Sequence, residues 1–335
     1  MDKTFVRLMM PMISPKKLYT SFIQRMKLSR WGYLLQPFAP MVWRSFSFES
    51  YDVVISNSSF FLANTIRAKR PVHIQYIHSV PKNIFNLSSE IPTQKIFPYE
   101  PFIRREYRDS LLSSPYVVTN SKHTQKMLKQ MFGVSSVVLY PPVFLPKTPP
   151  KHNKGLYYLT VCRLDDTKEI ETVIQACNIL RAPLKIVGTG NDERYVNHLR
   201  IMAGPTVEFL GFRSDSEIDH LYVDAIAFLF SPRAEDFGIA PVEALAHGAP
   251  VIAYYGGGAK ETVIEGITGT FFQKYTPEAL VGAIRRHKPG LFNSRVLYNY
   301  AKQFSEKRFH KEMKQLIDSL INDKHNKHNH KKNYW

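Results

Sequence analysis

Two glutamates eight positions apart, Glu235 and Glu243, stand in the run Pro-Arg-Ala-Glu-Asp-Phe-Gly-Ile-Ala-Pro-Val-Glu-Ala-Leu-Ala-His-Gly-Ala-Pro-Val-Ile-Ala that begins at Pro232. Carboxylates accept hydrogen bonds and donate none, so such a pair suits a ligand rich in hydroxyls. Glu243 reads as an acceptor for a ribose and Glu235 as a holder of sugar hydroxyls. Between them, Phe237 and Gly238 make a turn, and residues 239–246 have the apolar spacing of a helix laid on a sheet. Pro241 fits the first turn of that helix. The free N–H groups around Gly238, Ile239 and Ala240, with the positive end of the helix dipole, can hold a phosphate without a basic side chain.

These side chains need a sheet to carry them. Residues 225–230 form an apolar run that reads as a buried parallel strand, broken by Ser231-Pro232, and residues 250–254 read as the strand that follows the helix. Gly256-Gly257-Gly258 then permits close backbone approach at a carboxyl end, where open parallel sheets take their ligands. Upstream, the strand pattern of residues 156–162 ends at Arg163, and a helical stripe of Ile170, Val173, Ile174 and Cys177 follows from Lys168. Arg163 and Lys168 thus fall at a strand end and a helix start, able to neutralise one diphosphate. Asp165 and Asp166 stand beside them. Gly188 and Gly190 close the strand at 184–187, and Phe212, between Gly211 and Arg213, is expected as a wall of the base pocket. No phosphate-binding Gly-Lys motif of an ATPase occurs.

Taken in order, Glu-Asp-Phe-Gly, Pro-Val-Glu-Ala, Gly-x-Pro-Val and the glycines resemble the E-x7-E signature of retaining glycosyltransferases of family 4, which have two facing Rossmann-like domains (GT-B). The resemblance implies an α/β fold of that type. It implies transfer of a hexose, with retention, from a nucleotide diphosphate-sugar to a hydroxyl of a glycan or lipid-linked glycan. The catalytic group is expected to be His78, Glu235, Arg163 and Lys168. The donor-binding group is expected to be Gly188, Gly190, Phe212, Phe237, Gly238, Ile239, Ala240, Glu243 and Gly257. Arg163 and Lys168 would stabilise the leaving diphosphate, as the matching residues do in the family. No Asp-x-Asp pair stands at a strand end, so neither a metal nor a cofactor is expected. The family usually has Pro or Gly where this chain has Asp165-Asp166-Thr167.

The first half is less explicit. Residues 51–57 and 72–78 read as buried strands, and His78 lies at the carboxyl end of the second. Spacing leaves His78 open between a structural histidine and a functional one; the resemblance favours placing it against the donor sugar. Residues 115–121 and 137–143 frame an amphipathic helix at 122–132. Asn120 and Ser121 either line the site or cap that helix. Runs around 18–25, 51–56, 119–121 and 140–143 are similar to bacterial O-antigen mannosyltransferases, which favours GDP-mannose as donor. These enzymes normally begin with a strand and a Gly-Gly-x-Glu loop, which is not found before Ser56, so the first domain reads as shortened at its N-terminus.

The chain has 335 residues, enough for two α/β cores. We expect an acceptor-side domain over 1–148, a nucleotide-sugar domain over 149–290 and helices over 291–322 that return to the first domain. A basic tail at 323–335 should be disordered. Residues 146–153 read as the linker. Lys and Arg number 45 against 28 acidic residues, a net charge of +17, which attracts polyanions. Lys3, Arg7, Lys16, Lys17, Arg25, Lys27, Arg30 and Arg44 lie among aromatic residues and Met, a composition that can rest on an anionic membrane. With no apolar run of membrane-spanning length or signal-peptide layout, the expected setting is cytoplasmic, at most peripheral on the inner membrane face. Two cysteines, Cys162 and Cys177, give no disulfide framework. Nucleic-acid binding is not expected, since no recognition module accompanies the charge. The alternatives are an inactive nucleotide-sugar-binding subunit or a nucleotide-sugar epimerase.

Overall fold

A computed structural model describes Tyr19, Ser21 and residues 36–59, 62–82, 84–85, 100–114, 116–149 and 155–332. Apart from Tyr19, Ser21 and residues 36–44, the basic N-terminal stretch expected to meet a membrane lies outside the described residues. So do residues 150–153 of the linker and the last three residues of the tail. The chain divides into two units. The first comprises residues 1–119, 126–137 and 317–335, and the second residues 120–125 and 138–316.

In the first unit, strands β1 (Val53–Ser58), β2 (Val72–Ile77), β3 (Tyr116–Thr119) and β4 (Val137–Val138) form a sheet in that order. β1, β2 and β3 pair in parallel. Its core joins Ile77 and Val117 to Ile103, Tyr107 and Leu111 of the helix Glu100–Ser113 and to Leu128 of the helix Lys122–Phe132. The apolar spacing of those helices, one turn apart on one face, is what seats them on the sheet.

The second unit holds β5 (Tyr157–Val161), β6 (Leu184–Val187), β7 (Val207–Gly211), β8 (Ala225–Phe230), β9 (Val251–Tyr254) and β10 (Gly269–Phe272). All pair in parallel, in the order β10-β9-β8-β5-β6-β7. The central strands β8 and β9 are covered on both faces, so they are continuously apolar rather than alternating. In β8, Phe228 and Phe230 pack with Val242, Leu245, Leu297 and Phe304 on one side. Ala227 and Leu229 pack with Ile174, Ile186, Leu280 and Ile284 on the other. Burying each such large side chain contributes about 2 kcal/mol. Helix starts are fixed locally: Ser214 and Glu217 form a capping box at Asp215–Val223, and Thr276 and Asn293 cap the helices that begin at Pro277 and Ser294.

This order is that of a doubly wound dinucleotide-binding sheet, and the direction in which successive strands are added reverses between β5 and β8, which pair in parallel. Helices leave opposite faces there, so the loops after β5 and β8 flank an open crevice at the carboxyl ends. Arg163 and Lys168 follow β5, and Glu235 follows β8.

The two units divide the chain differently from the expected limits in three places. Residues 138–148 belong to the second unit, because Val143 N–H donates to the Phe304 carbonyl at 2.9 Å and Tyr140 packs edge-on against Phe304. The helix Ser294–Ala301 also belongs there, with Leu297 and Ala301 in its core; only from Ile317 does the chain count with the first unit. Finally, residues 323–332, expected to be disordered, continue the helix Glu306–Lys332. That run contains no Gly or Pro, so nothing in it interrupts the helix.

Candidate functional site

At the crevice, Lys168 Nζ donates to Glu235 Oε2 at 2.6 Å, with both side chains about three-quarters shielded from solvent. The loop after β8 holds the loop after β5 at two further points. Ser231 Oγ donates to the Lys168 carbonyl at 2.9 Å. Arg233 binds the Glu169 carboxylate through its backbone N–H at 2.7 Å and its Nε at 2.5 Å. Lys168 sits in the short 3-10 turn Asp166–Lys168, and the helix itself starts at Ile170, two residues later than expected. The reason is Glu169, whose φ of +51° is the left-handed conformation that β-carbons disfavour. The Arg233 clamp and a Tyr275 hydroxyl bond to its carbonyl hold it there.

Arg163, largely exposed, is already paired: its Nε donates to Asp165 Oδ2 at 2.6 Å, and Thr167 donates to the other Asp165 oxygen. The carboxylate that replaces the usual Pro or Gly therefore engages the very cation expected to meet a diphosphate. Cys162, beside them, has its thiol pushed up to about 12 by burial, and so stays protonated.

Gly238 caps the helix Ile239–Ala246 in a left-handed conformation, with no side chain taking the first N–H groups. Ile239 is exposed and Ala240 half-buried, so that end is open. Further along, the half-buried Glu243 accepts a hydrogen bond from the Tyr222 hydroxyl at 3.2 Å. Burial raises the Glu243 pKa, the Tyr222 hydrogen bond lowers it, and Asp215 and Asp219 raise it.

The glycines act on backbone rather than on open space. A β-carbon at Gly188 would lie 1.8 Å from the Cys162 carbonyl oxygen, and one at Gly190 2.2 Å from that of Leu164. A β-carbon at Gly257 would lie 2.3 Å from the Glu235 carbonyl oxygen, to which Gly258 N–H donates at 2.8 Å. The triple glycine is thus the bed of the loop that carries Glu235. Phe212 is 77% exposed. The Phe237 side chain, at 2% exposure, lies in the core against Tyr140 and Phe304, beneath the turn.

His78, in the first unit, follows β2 and donates its backbone N–H to the Ser58 carbonyl at 2.9 Å. Its ring lies edge-on to Tyr76, and burial lowers its pKa. Asn120 and Ser121 are buried cap residues: Ser121 Oγ accepts from Thr124 N–H at 2.9 Å, and Asn120 accepts from the Thr124 hydroxyl. Sequence reasoning missed Tyr222, Glu169 and Arg233. It also missed Glu261, whose carboxylate accepts from the backbone N–H groups of Lys122 at 2.8 Å and His123 at 2.7 Å. Among the described residues no group of three His, Cys, Asp or Glu is placed to hold a metal, and no helix is long and apolar enough to cross a membrane.

Two family descriptions match, "Glycosyltransferase Family 4" over residues 15–145 and "Glycosyl transferases group 1" over residues 144–308. The fold is that of a GT-B glycosyltransferase. Sucrose-phosphate synthase from Thermosynechococcus elongatus superposes with a TM-score of 0.71 at 20% identity, over 87% of this chain and 79% of that one. Anabaena Alr3699/HepE, solved in complex with UDP-glucose, gives 0.70 at 20% identity over 95% and 90%. Among curated sequences, the human alpha-1,3/1,6-mannosyltransferase ALG2 is 27% identical over 245 residues, 61% of this chain and 58% of its own. The Dictyostelium discoideum ALG2 is 26% identical over 200 residues, 46% and 48%. The chain spans about half the length of these curated relatives. In this GT-B chain the second unit supplies the crevice, the paired cations and both glutamates.

Proposed function

We propose that the protein transfers a hexose from a nucleotide diphosphate-sugar to an acceptor hydroxyl, with retention at the anomeric carbon. The observation that carries the reading is the Lys168–Glu235 pair at the β5/β8 switch point, beside an uncapped helix N-terminus and with Glu243 one helical turn beyond. Lys168 and Arg163, with the N–H groups of Ile239 and Ala240, meet the diphosphate. As the bond from the anomeric carbon to the β-phosphate breaks, charge accumulates on that phosphate, and fixed cations stabilise it where it forms. Glu243 accepts from the ribose hydroxyls and Glu235 from the sugar. Gly188, Gly190 and Gly257 keep the backbones that shape the site together, and Phe212 walls the base. His78 keeps the role the resemblance implies, against the donor sugar. The positive charge comes from side chains, so the reaction proceeds without a divalent cation.

Mannose is the favoured sugar, supported by the ALG2 relatives and the sequence resemblance; the HepE complex supports UDP-linked donors as the second choice. A lipid-linked glycan is the proposed acceptor, and the net charge of +17 supports peripheral association with an anionic membrane from the cytoplasmic side. The test is incubation with GDP-mannose, UDP-glucose and related donors, with and without lipid-linked acceptors and chelator. Release of nucleoside diphosphate and an anomerically retained product are expected, unaffected by chelation. Binding without release would make the protein a nucleotide-sugar-binding subunit, and inversion or epimerisation of the sugar would refute the reaction proposed.

A further inference from the structure

Tyr222 lies on the helix Asp215–Val223 and is 1% exposed, yet it does not spend its hydroxyl on a backbone carbonyl. Tyr157, a comparable buried phenol, does so, donating to the Leu221 carbonyl at 3.1 Å. Tyr222 instead donates to Glu243 Oε2 at 3.2 Å, from 21 residues away in sequence. Its ring is held on two sides. Phe228 packs at 5.7 Å, and His247 stacks at 5.4 Å with an interplanar angle of 19°. His247 is itself fixed, its Nδ1 2.8 Å from the Glu243 carbonyl oxygen and its Nε2 3.0 Å from Asp219 Oδ1. A phenylalanine would fill the same volume, so packing alone does not call for the hydroxyl; a buried phenol must find a partner, and this one finds a carboxylate.

Resting on the reading of Glu243 given above, we propose that Tyr222 is a positioning residue that fixes the Glu243 carboxylate so that its second oxygen reads the ribose hydroxyls of the donor, with His247 clamping the Tyr222 ring. One carboxylate oxygen is engaged by the phenol, which sets the rotamer and leaves Oε1 to accept from the ligand. A free glutamate would have to be ordered when the ligand arrives, and binding would bear that entropy. The groups facing Glu243 electrostatically are Tyr222, Asp215 and Asp219 on the neighbouring helix; the His247 ring meets it only at its backbone carbonyl. Of the three, only the Tyr222 hydrogen bond lowers the Glu243 pKa. Removing it moves the acid limb of nucleotide binding to higher pH.

The test titrates the full chain calorimetrically with GDP and UDP and with their 2′,3′-dideoxy forms, across pH. For Tyr222→Phe we expect about tenfold weaker binding of the ribonucleotide, as befits a hydrogen bond to a charged group. Dideoxy affinity should be unchanged, the acid limb should shift upward, and KM for the donor should rise at constant kcat. Equal weakening of both nucleotides, or of neither, overturns the proposal. Should Tyr222→Phe fail to fold, His247→Gln keeps the hydroxyl and removes the ring clamp. A smaller loss confined to the ribonucleotide is then expected, and a loss shared by the dideoxy form overturns the proposal. If the wild-type protein binds ribo and dideoxy forms alike, the ribose role of Glu243 itself fails and the proposal falls with it. If the wild type discriminates and Tyr222→Phe discriminates equally, only the role of Tyr222 fails.

Discussion

Replacing Gly257 by alanine should disable the site from beneath, without touching a side chain expected to meet ligand. Gly257 has φ +49°, and a β-carbon there would stand 2.3 Å from the Glu235 carbonyl oxygen and 3.0 Å from its nitrogen. Ordinary contact lies roughly 1 Å further out, so the Glu235 backbone must retreat by about that much. The left-handed conformation costs alanine about 1 kcal/mol. Retreat of Glu235 sacrifices the 2.8 Å bond from Gly258 N–H to its carbonyl, worth about 1 kcal/mol more. The expected destabilisation is therefore about 2–3 kcal/mol. The same displacement pulls Glu235 off Lys168, and misplacement of about 1 Å at a reacting centre costs on the order of 100-fold in rate. Gly266→Ala is the control: its φ is +73° but its β-carbon meets nothing within 4 Å, so it should cost about 1 kcal/mol and leave turnover intact. Denaturant unfolding gives the first quantity, and nucleoside diphosphate release at saturating donor gives the second. A Gly257→Ala protein as stable and as active as Gly266→Ala would refute the reasoning.

Three further outcomes follow from the same geometry. Asp165→Asn frees Arg163 from its 2.6 Å partner; because Arg163 is largely exposed the pair is worth at most about 1 kcal/mol, so nucleoside diphosphate should bind about two- to fivefold more tightly by calorimetry, and weaker binding would show that Asp165 helps the site. Glu243 has a raised pKa in the fold, so the unfolded chain ionises it first and its contribution to stability falls as pH rises past the ordinary carboxylate range. Glu243→Gln should then gain stability over wild type at pH 7–8 and lose that advantage towards acid, whereas a pH-independent difference in unfolding midpoint would contradict the burial argument. His287, stacked on Phe292 and pushed down to about 4 by burial, binds its proton more weakly in the fold than in the unfolded chain. Stability should therefore fall from about pH 6.5 to 4, by up to about 3 kcal/mol for this residue, and His287→Gln should flatten the slope measured by denaturant midpoints.

Much of the fold was legible because the central parallel strands, covered on both faces, read as unbroken apolar runs. The expectation for residues 225–230 matches Ala225–Phe230, and that for 239–246 matches Ile239–Ala246. What was not legible depends on partners distant in sequence. The start of the helix at Ile170 is delayed by Glu169, whose left-handed backbone answers to Arg233, 64 residues away. Phe237 was grouped with the ligand contacts because it adjoins the motif, but its surroundings are Tyr140 and Phe304. Tyr222 carries no motif at all, and only the folded helix brings its hydroxyl to Glu243. At the C-terminus, the polar and basic composition suggests disorder, and the helix Glu306–Lys332 extends into it because no Gly or Pro interrupts that run.

The central claim is that Lys168, paired with Glu235 at the β5/β8 switch point, meets the leaving diphosphate of a nucleotide sugar. The measurement that tests it most directly is nucleoside diphosphate release from a panel of donors by the wild-type chain and by Lys168→Ala. Release from at least one donor, lost by two orders of magnitude or so in Lys168→Ala while the fold persists, is the predicted result. Undiminished release by Lys168→Ala, or no release from any donor by the wild type, would contradict it.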